Sequence, residues 1–238
     1  MNSLDPLNRP RAPYTYTGVG SRTTPADVLS LMEKIASRLA THTLYTLRSG
    51  GADGADAAFA RGAGAQAEIY LPWRSFAPGQ HPRAELLVTG DDPDARVIAA
   101  SYHPAWDRCS RGARALHTRN VHQVLGRDLA QPSQFLICWT PGGHDLGGTA
   151  TAIKIARANG VIVYNLALDI HRMPWLEWAC GNGSEKIDNL FAAVEREAPI
   201  PRPAPNAQRT APRTIPEMTE NDRYWKQLID DDLNGLRS

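Results

Sequence analysis

Short apolar or β-branched runs recur along the chain, each followed by a turn signal and then by a stretch with helical spacing. The first run covers 14–19 and ends in Gly18-Val19-Gly20-Ser21-Arg22. Thr24 reads as an N-cap with Pro25 in the first helical position and Asp27 in the first turn. Val28, Leu29, Met32, Ile35, Ala36 and Leu39 then lie at the three- and four-residue spacing of one buried helical stripe. A second strand is predicted over 43–47, followed by an Ala-rich helix that ends at the glycines 62–64. A third strand is predicted over 68–71, where Pro72 stops it.

Residues 73–83 read as an irregular loop, 85–89 as a weak strand and 94–102 as a helix. A longer helix is predicted over 111–129 and the clearest buried strand over 134–140. The pattern continues with a helix over 150–158 that stops at Gly160, a strand over 161–166 and a helix over 184–197. Strands alternating with helices in this way predict an α/β fold: an open, mainly parallel sheet with right-handed crossovers and helices on both faces. Beyond 198 the pattern breaks down. Pro199, Pro201, Pro203, Pro205, Pro212 and Pro216 mark a stiff linker over 199–219. A helical tail over 220–238 follows, with Tyr224, Trp225, Leu228, Ile229 and Leu233 on one face. The expected organisation is therefore one domain over 14–198, a linker and a tail. The tail face would dock on the domain, on a second copy or on a partner.

Composition narrows the classes only a little. The 238 residues are enough for one sizeable core, and 42% hydrophobic with 21% charged residues is ordinary for a globular domain. A net charge of +1 argues against a globally basic nucleic-acid coat and leaves room for a local basic groove. Cys109, Cys138 and Cys180 are scattered and show no paired spacing, so neither a disulfide framework nor a structural zinc site is expected. No metal or cofactor is expected. The first thirteen residues lack an apolar segment and no long apolar run follows, so a cytoplasmic protein without a membrane partner is expected.

Candidate chemistry gathers in three glycine-rich loops that follow strands. In an open parallel sheet, ligands bind beyond the carboxyl ends of the strands, where such loops collect. Gly20, Ser21 and Arg22 form one candidate cradle; Ser49, Gly50 and Gly51 form a second. Gly147, Gly148 and Thr149, preceded by Pro141, Gly142 and Gly143, form the third. Glycine lets backbone approach a phosphate closely, and helix N-terminal amides favour an anion. Any one of these turns could equally be only a tight connection. Neither a P-loop nor a GxGxxG dinucleotide motif is present. Asp53 and Asp56 stand at a helix start, where one caps the helix while the other is free for a ribose hydroxyl or for acid–base work.

Gly20-Ser21-Arg22 with Ser49-Gly50-Gly51-Ala52-Asp53-Gly54-Ala55-Asp56 resembles the GSR and SGxAxGID pattern of the DNA-processing protein A (Smf) family. Pro141-Gly142-Gly143 with Gly148-Thr149 resembles the PGGxGT loop of the Lonely Guy phosphoribohydrolases. Leu116-His117-Thr118-Arg119-Asn120 resembles their MHxRK helix. Both families belong to one Rossmann-like superfamily of the SLOG type, and the combination is most similar to short phage and prophage members. The resemblance covers about 14–168.

It implies two different roles. In the phosphoribohydrolase branch the loop after the PGG receives the phosphate of a nucleoside 5′-monophosphate, and an Arg at the position of Arg119 and a Glu help cleave the N-glycosidic bond. Thr151 and Ala152 stand where that Glu belongs, so Asp145 or Asp56 would have to substitute. Without a carboxylate, an oxocarbenium-like transition state loses stabilisation on the order of several kcal/mol. In the DprA branch the same domain binds single-stranded DNA, for which Arg22, Arg48, Arg74, Arg83, Arg108, Arg111, Arg114 and Arg119 with Trp73 or Trp106 could line a groove. A protein that senses or sequesters a signalling nucleotide without cleaving it is a third reading. The expected partner is thus a nucleotide or nucleic-acid ligand, and the superfamily implies a homodimer.

Overall fold

The computed structural model describes residues 14–76, 84–145 and 147–196. The expected linker and tail over 199–238 lie outside the described residues. Strands β1 (Tyr14–Gly20), β2 (Tyr45–Ser49), β3 (Ala67–Leu71), β4 (Glu85–Val88), β5 (Phe135–Trp139) and β6 (Ile162–Asn165) alternate with helices. These are α1 (Ala26–His42), α2 (Ala55–Ala63), α3 (Pro93–Tyr102), α4 (Arg111–Leu125), α5 (Thr149–Ala158), α6 (Asp169–Ala179) and α7 (Glu185–Arg196). The strands form one six-stranded sheet in the order β4-β3-β2-β1-β5-β6, and every neighbouring pair is parallel. The fold is an open α/β sheet of Rossmann-like type.

Strand order runs outward from β1 in both directions, so the chain changes direction between β1 and β5. There Gly20 lies opposite Trp139, and the amide of Ser21 donates to the Trp139 carbonyl. The loops leaving β1 and β5 consequently diverge to opposite faces of the sheet and leave a crevice between them.

Each face buries its own core. On one, the stripe Val28, Leu31, Met32, Ile35, Ala36 and Leu39 of α1 packs with Ala58 and Phe59 of α2, Trp175 and Trp178 of α6 and Ile187 and Leu190 of α7. Phe135 centres an aromatic cluster there, 5.2 Å from Tyr45, 5.5 Å from Trp175 and 5.7 Å from Tyr16 between ring centroids. On the opposite face, Ala95 and Ala99 of α3, Val121, Val124 and Leu125 of α4 and Ala152, Ile153, Ile155 and Ala156 of α5 cover Val19, Leu136 and Cys138. No described helix is long and apolar enough to cross a membrane.

Several boundaries differ from the pattern in the sequence. The Thr24 hydroxyl donates to the Ser21 carbonyl at 2.7 Å, tying the loop rather than capping α1, which starts at Ala26 after Pro25. Strand β2 begins at Tyr45, because Leu44 is left exposed beyond the cover of the aromatic cluster. Helix α4 ends at Leu125 instead of 129. Gly126 takes φ +78° and donates its amide to the His122 carbonyl, and Arg127 then turns to Glu68 and Glu85. Helix α6 has no counterpart in the sequence pattern; it carries Pro174 in its interior and only Trp175 and Trp178 are buried, which leaves no amphipathic stripe to read.

Removing the ring at the centre of the aromatic cluster tests this core. Phe135→Ala is expected to lower unfolding stability by about 3–5 kcal/mol in urea titration. A loss below about 1 kcal/mol would show that the cluster does not carry this face.

Candidate functional site

At the carboxyl edge of the sheet the two faces are joined by a buried ion pair. Arg119 comes from α4 on one face and Asp56 from the first turn of α2 on the other, with Nη1 and Oδ2 3.2 Å apart and both side chains buried. The approach is possible because residue 50, at the end of β2, is glycine: a Cβ there would fall on the Arg119 guanidinium. Gln123, one turn further along α4, accepts from Arg119 Nη1 and from the Gly50 amide, each at 2.7 Å, and donates to Asn120 Oδ1 at 2.9 Å. Asn120 in turn donates to the Gly148 carbonyl at 2.9 Å. Three residues of α4 therefore fasten the loop after β2 and the loop before α5 into one polar hub.

The hub's electrostatics follow from burial. Burial pushes the Asp56 carboxyl up from its ordinary range, opposed by the Arg119 charge and by the amides of Ala52 and Gly20. Burial pulls Arg119 down, opposed by Asp56. Each group lowers the cost of burying the other, and removing either would leave its partner unpaired in the interior. Phe76 closes the hub from above, with the guanidinium carbon 5.8 Å from its ring centroid. The Arg119 Nε is buried without a partner.

Of the residues singled out from the sequence, Gly20, Ser49, Gly50, Gly51, Asp56 and Arg119 meet in or beside this hub, with Ser49 buried and donating to the Gly18 carbonyl at 2.7 Å. Arg22 is exposed in the loop after β1, with its backbone against Gly54, and its charge is near enough to lower Arg119. Ser21 is occupied locally, its hydroxyl 2.8 Å from Thr23 Oγ1. Asp53 is exposed in the turn before α2, while Asp56 takes the helix-start role by accepting the Ala52 amide at 3.4 Å. Pro141, Gly142 and Gly143 form a short 3₁₀ turn after β5. Gly147, Gly148 and Thr149 then open α5. Asp145 is not drawn to Arg119; it pairs with Arg157 on α5.

The amino-terminus of α5 stands apart from those of α3 and α4. Asp92 and Ser110 accept from the first-turn amides of α3 and α4, whereas α5 begins at Gly148 with no side-chain cap and no acidic residue in its first turn. Thr151 and Ala152, where the resemblance to the phosphoribohydrolases expects a carboxylate, are both buried, and the Thr151 hydroxyl lies 3.0 Å from Nδ1 of His117.

The arginines considered for a groove divide into two sets. Arg48 is buried, its Nε 3.2 Å from Glu68 and its Nη1 donating to the Gln131 carbonyl at 2.6 Å, so it holds β2, β3 and the segment after α4 together. Arg114 is spent on the carbonyls of Trp106 and Asp107. Arg22, Arg74, Arg108 and Arg111 are exposed; Arg83 lies outside the described residues. Trp73 is 39% exposed, edge-on to Phe76 at 5.2 Å and beside Gly112.

Pattern-reading missed one grouping. His103, in the turn after α3, Cys109, before α4, and His117, on α4, bring one ring nitrogen each and a thiol within 4.8 Å of one another. Spacing-based signals for metal ligands look for paired cysteines, and this set spreads over fifteen positions and contains one. Burial, with the charges of His103 and Arg119 behind it, holds His117 down at about 3, so this imidazole is neutral.

The ion pair sets a clear expectation for mutagenesis. Asp56→Ala or Arg119→Met alone should destabilise by about 3–5 kcal/mol, because each leaves the other charge buried and unpaired. The double variant should cost much less than the sum, and a double-mutant cycle on urea midpoints measures that coupling. Strictly additive losses would mean that the two groups do not act as a pair.

No protein-family model and no curated protein matches the chain. Among solved structures it is similar to DNA processing protein A from Helicobacter pylori, a protein with a single-stranded DNA binding mode of its own, at 12% identity and a TM-score of 0.41, over 92% of this chain and 82% of that one.

Proposed function

We propose that the chain binds a nucleoside phosphate in the crevice between the loops that follow β1 and β5. The observation that carries this reading is the start of α5: a first turn with no side-chain cap and no acidic residue, at the point where strand order reverses, held in place by Asn120 of the hub. Such amides bind phosphate oxygens, and the helix dipole adds to their attraction for an anion. Arg22, across the crevice on the β1 loop, supplies the charge, and the orphaned Nε of Arg119 adds a buried donor on the same side of the sheet. Trp73, exposed beside Phe76, gives a base a flat surface to stack on.

Binding is better supported than N-glycosidic cleavage. Cleavage needs a carboxylate poised at the sugar. The α5 first turn has none, Asp145 is engaged by Arg157, and Asp56 is locked to Arg119 inside the hub. A ligand held there would be kept intact. A second reading rests on Trp73 together with the exposed Arg74, its chain neighbour, and Arg111, next to Gly112 on which Trp73 lies: the same surface would take a segment of single-stranded nucleic acid, with the phosphate site receiving one of several phosphates.

Calorimetric titration with a nucleoside, its monophosphate and its triphosphate is the direct test. The phosphates should bind at least about tenfold more tightly than the nucleoside, and Arg22→Ala should remove about tenfold or more, the worth of one charge-assisted hydrogen bond. Equal affinity for nucleoside and nucleotide, or no binding of either, would refute the phosphate site. Incubation with nucleoside monophosphates should release no free base. Titration with an oligothymidylate separates the second reading: binding whose logarithm falls with a slope of several units against log salt, and which weakens in Trp73→Ala, would favour the nucleic-acid ligand.

A further inference from the structure

We infer that His103, Cys109 and His117 form a binding site for a zinc-class transition-metal ion. Two imidazoles and one thiol are the donor set that such ions prefer, and hard cations such as magnesium do not. The donor atoms of the three groups already lie within 4.8 Å of one another, and a rotation of the Cys109 side chain, whose sulfur now sits beside the His103 ring, would set the ligand edge. Cys109 Sγ lies 3.6 Å from Nδ1 and 3.8 Å from Nε2 of His103. In a tetrahedral zinc site, with zinc–sulfur near 2.3 Å and zinc–nitrogen near 2.0 Å, the sulfur–nitrogen edge is about 3.5 Å. The two rings are themselves in contact, with centroids 4.3 Å apart.

The surroundings prepare the groups for a cation. His117 is buried, and the Thr151 hydroxyl on its Nδ1 fixes the ring and leaves Nε2 for the ion. Arg119, whose charge bears on His117, is paired with Asp56, and Arg114 is turned onto the carbonyls of Trp106 and Asp107. Binding releases the Cys109 thiol proton, and the thiolate offsets half of the ion's charge. It also takes from the Ala105 amide its acceptor on His103, a long bond of 3.2 Å. His103 is buried while Cys109 is half-buried, so the ion has a route in from solvent. Three protein ligands leave a fourth position for water.

The ion would staple the turn between α3 and α4 to the helix that carries the hub. Its effect should therefore be seen in stability as well as in occupancy. The untagged full chain, stripped with chelator and dialysed against micromolar zinc, should retain one zinc per chain and unfold at a higher temperature than the stripped protein. Cobalt(II) in place of zinc should give the near-ultraviolet thiolate charge-transfer band and the strong visible absorption of a tetrahedral site. Cys109→Ser should abolish the charge-transfer band and the thermal shift; Cys180→Ser, which alters the exposed cysteine, should change neither. His103→Gln should weaken zinc binding by about a hundredfold. If Cys109→Ser fails to fold, the zinc stoichiometry and cobalt spectrum of the wild-type chain still decide. A wild-type chain that retains no zinc, or a cobalt band that survives Cys109→Ser and is lost in Cys180→Ser, would overturn the site and leave the three groups a hydrogen-bonded cluster.

Discussion

The carboxyl edge of this sheet depends on one buried ion pair. Arg119 and Asp56 come from helices on opposite faces, and the sheet itself ends between them at Gly50. Neither charge would be tolerated there alone, so the pair forces α2 and α4 into a fixed relation, and Gln123 and Asn120 extend that relation to the backbone of two loops. A buried ion pair is not by itself a large source of stability. Its contribution here is specificity: it permits one arrangement of the loops and penalises others. The crevice beside it inherits that rigidity, which the proposed phosphate site, built mainly of backbone amides, would require.

The pair also separates two roles that sequence alone merges. Arg119 and Asp56 look like catalytic groups in a motif, but the structure spends them on each other. Arg22 and the first turn of α5, one exposed and the other uncapped, are the parts to which the proposed ligand is assigned. Structural polar residues and ligand-facing ones thus lie side by side within a few positions of the same motifs.

Much of the architecture was legible because burial imposes periodicity. The α1 stripe, the run of buried positions in β5 and the glycines after each strand all follow from one-sided or two-sided packing. Helix α6 was not legible, since it is held by two tryptophans and contains Pro174, and neither propensity nor a stripe announces it. The end of α4 was overestimated because apolar Leu129 continues the spacing, while Gly126 decides where the helix stops. In the site, the glycine loops could be read, but their uses could not. That Asp145 faces Arg157, or that His103 reaches Cys109 and His117, depends on how separated segments meet, and local pattern holds no record of it.

Gly50 and Arg119 occupy complementary volumes, the absent side chain of one being the space filled by the other. In relatives of this chain the two positions should consequently vary together. An alanine or serine at 50 would demand a shorter residue at 119, and Asp56 would then lose its reason to be acidic. Those three positions, sixty-nine residues apart at their extremes, amount to a single unit of inheritance.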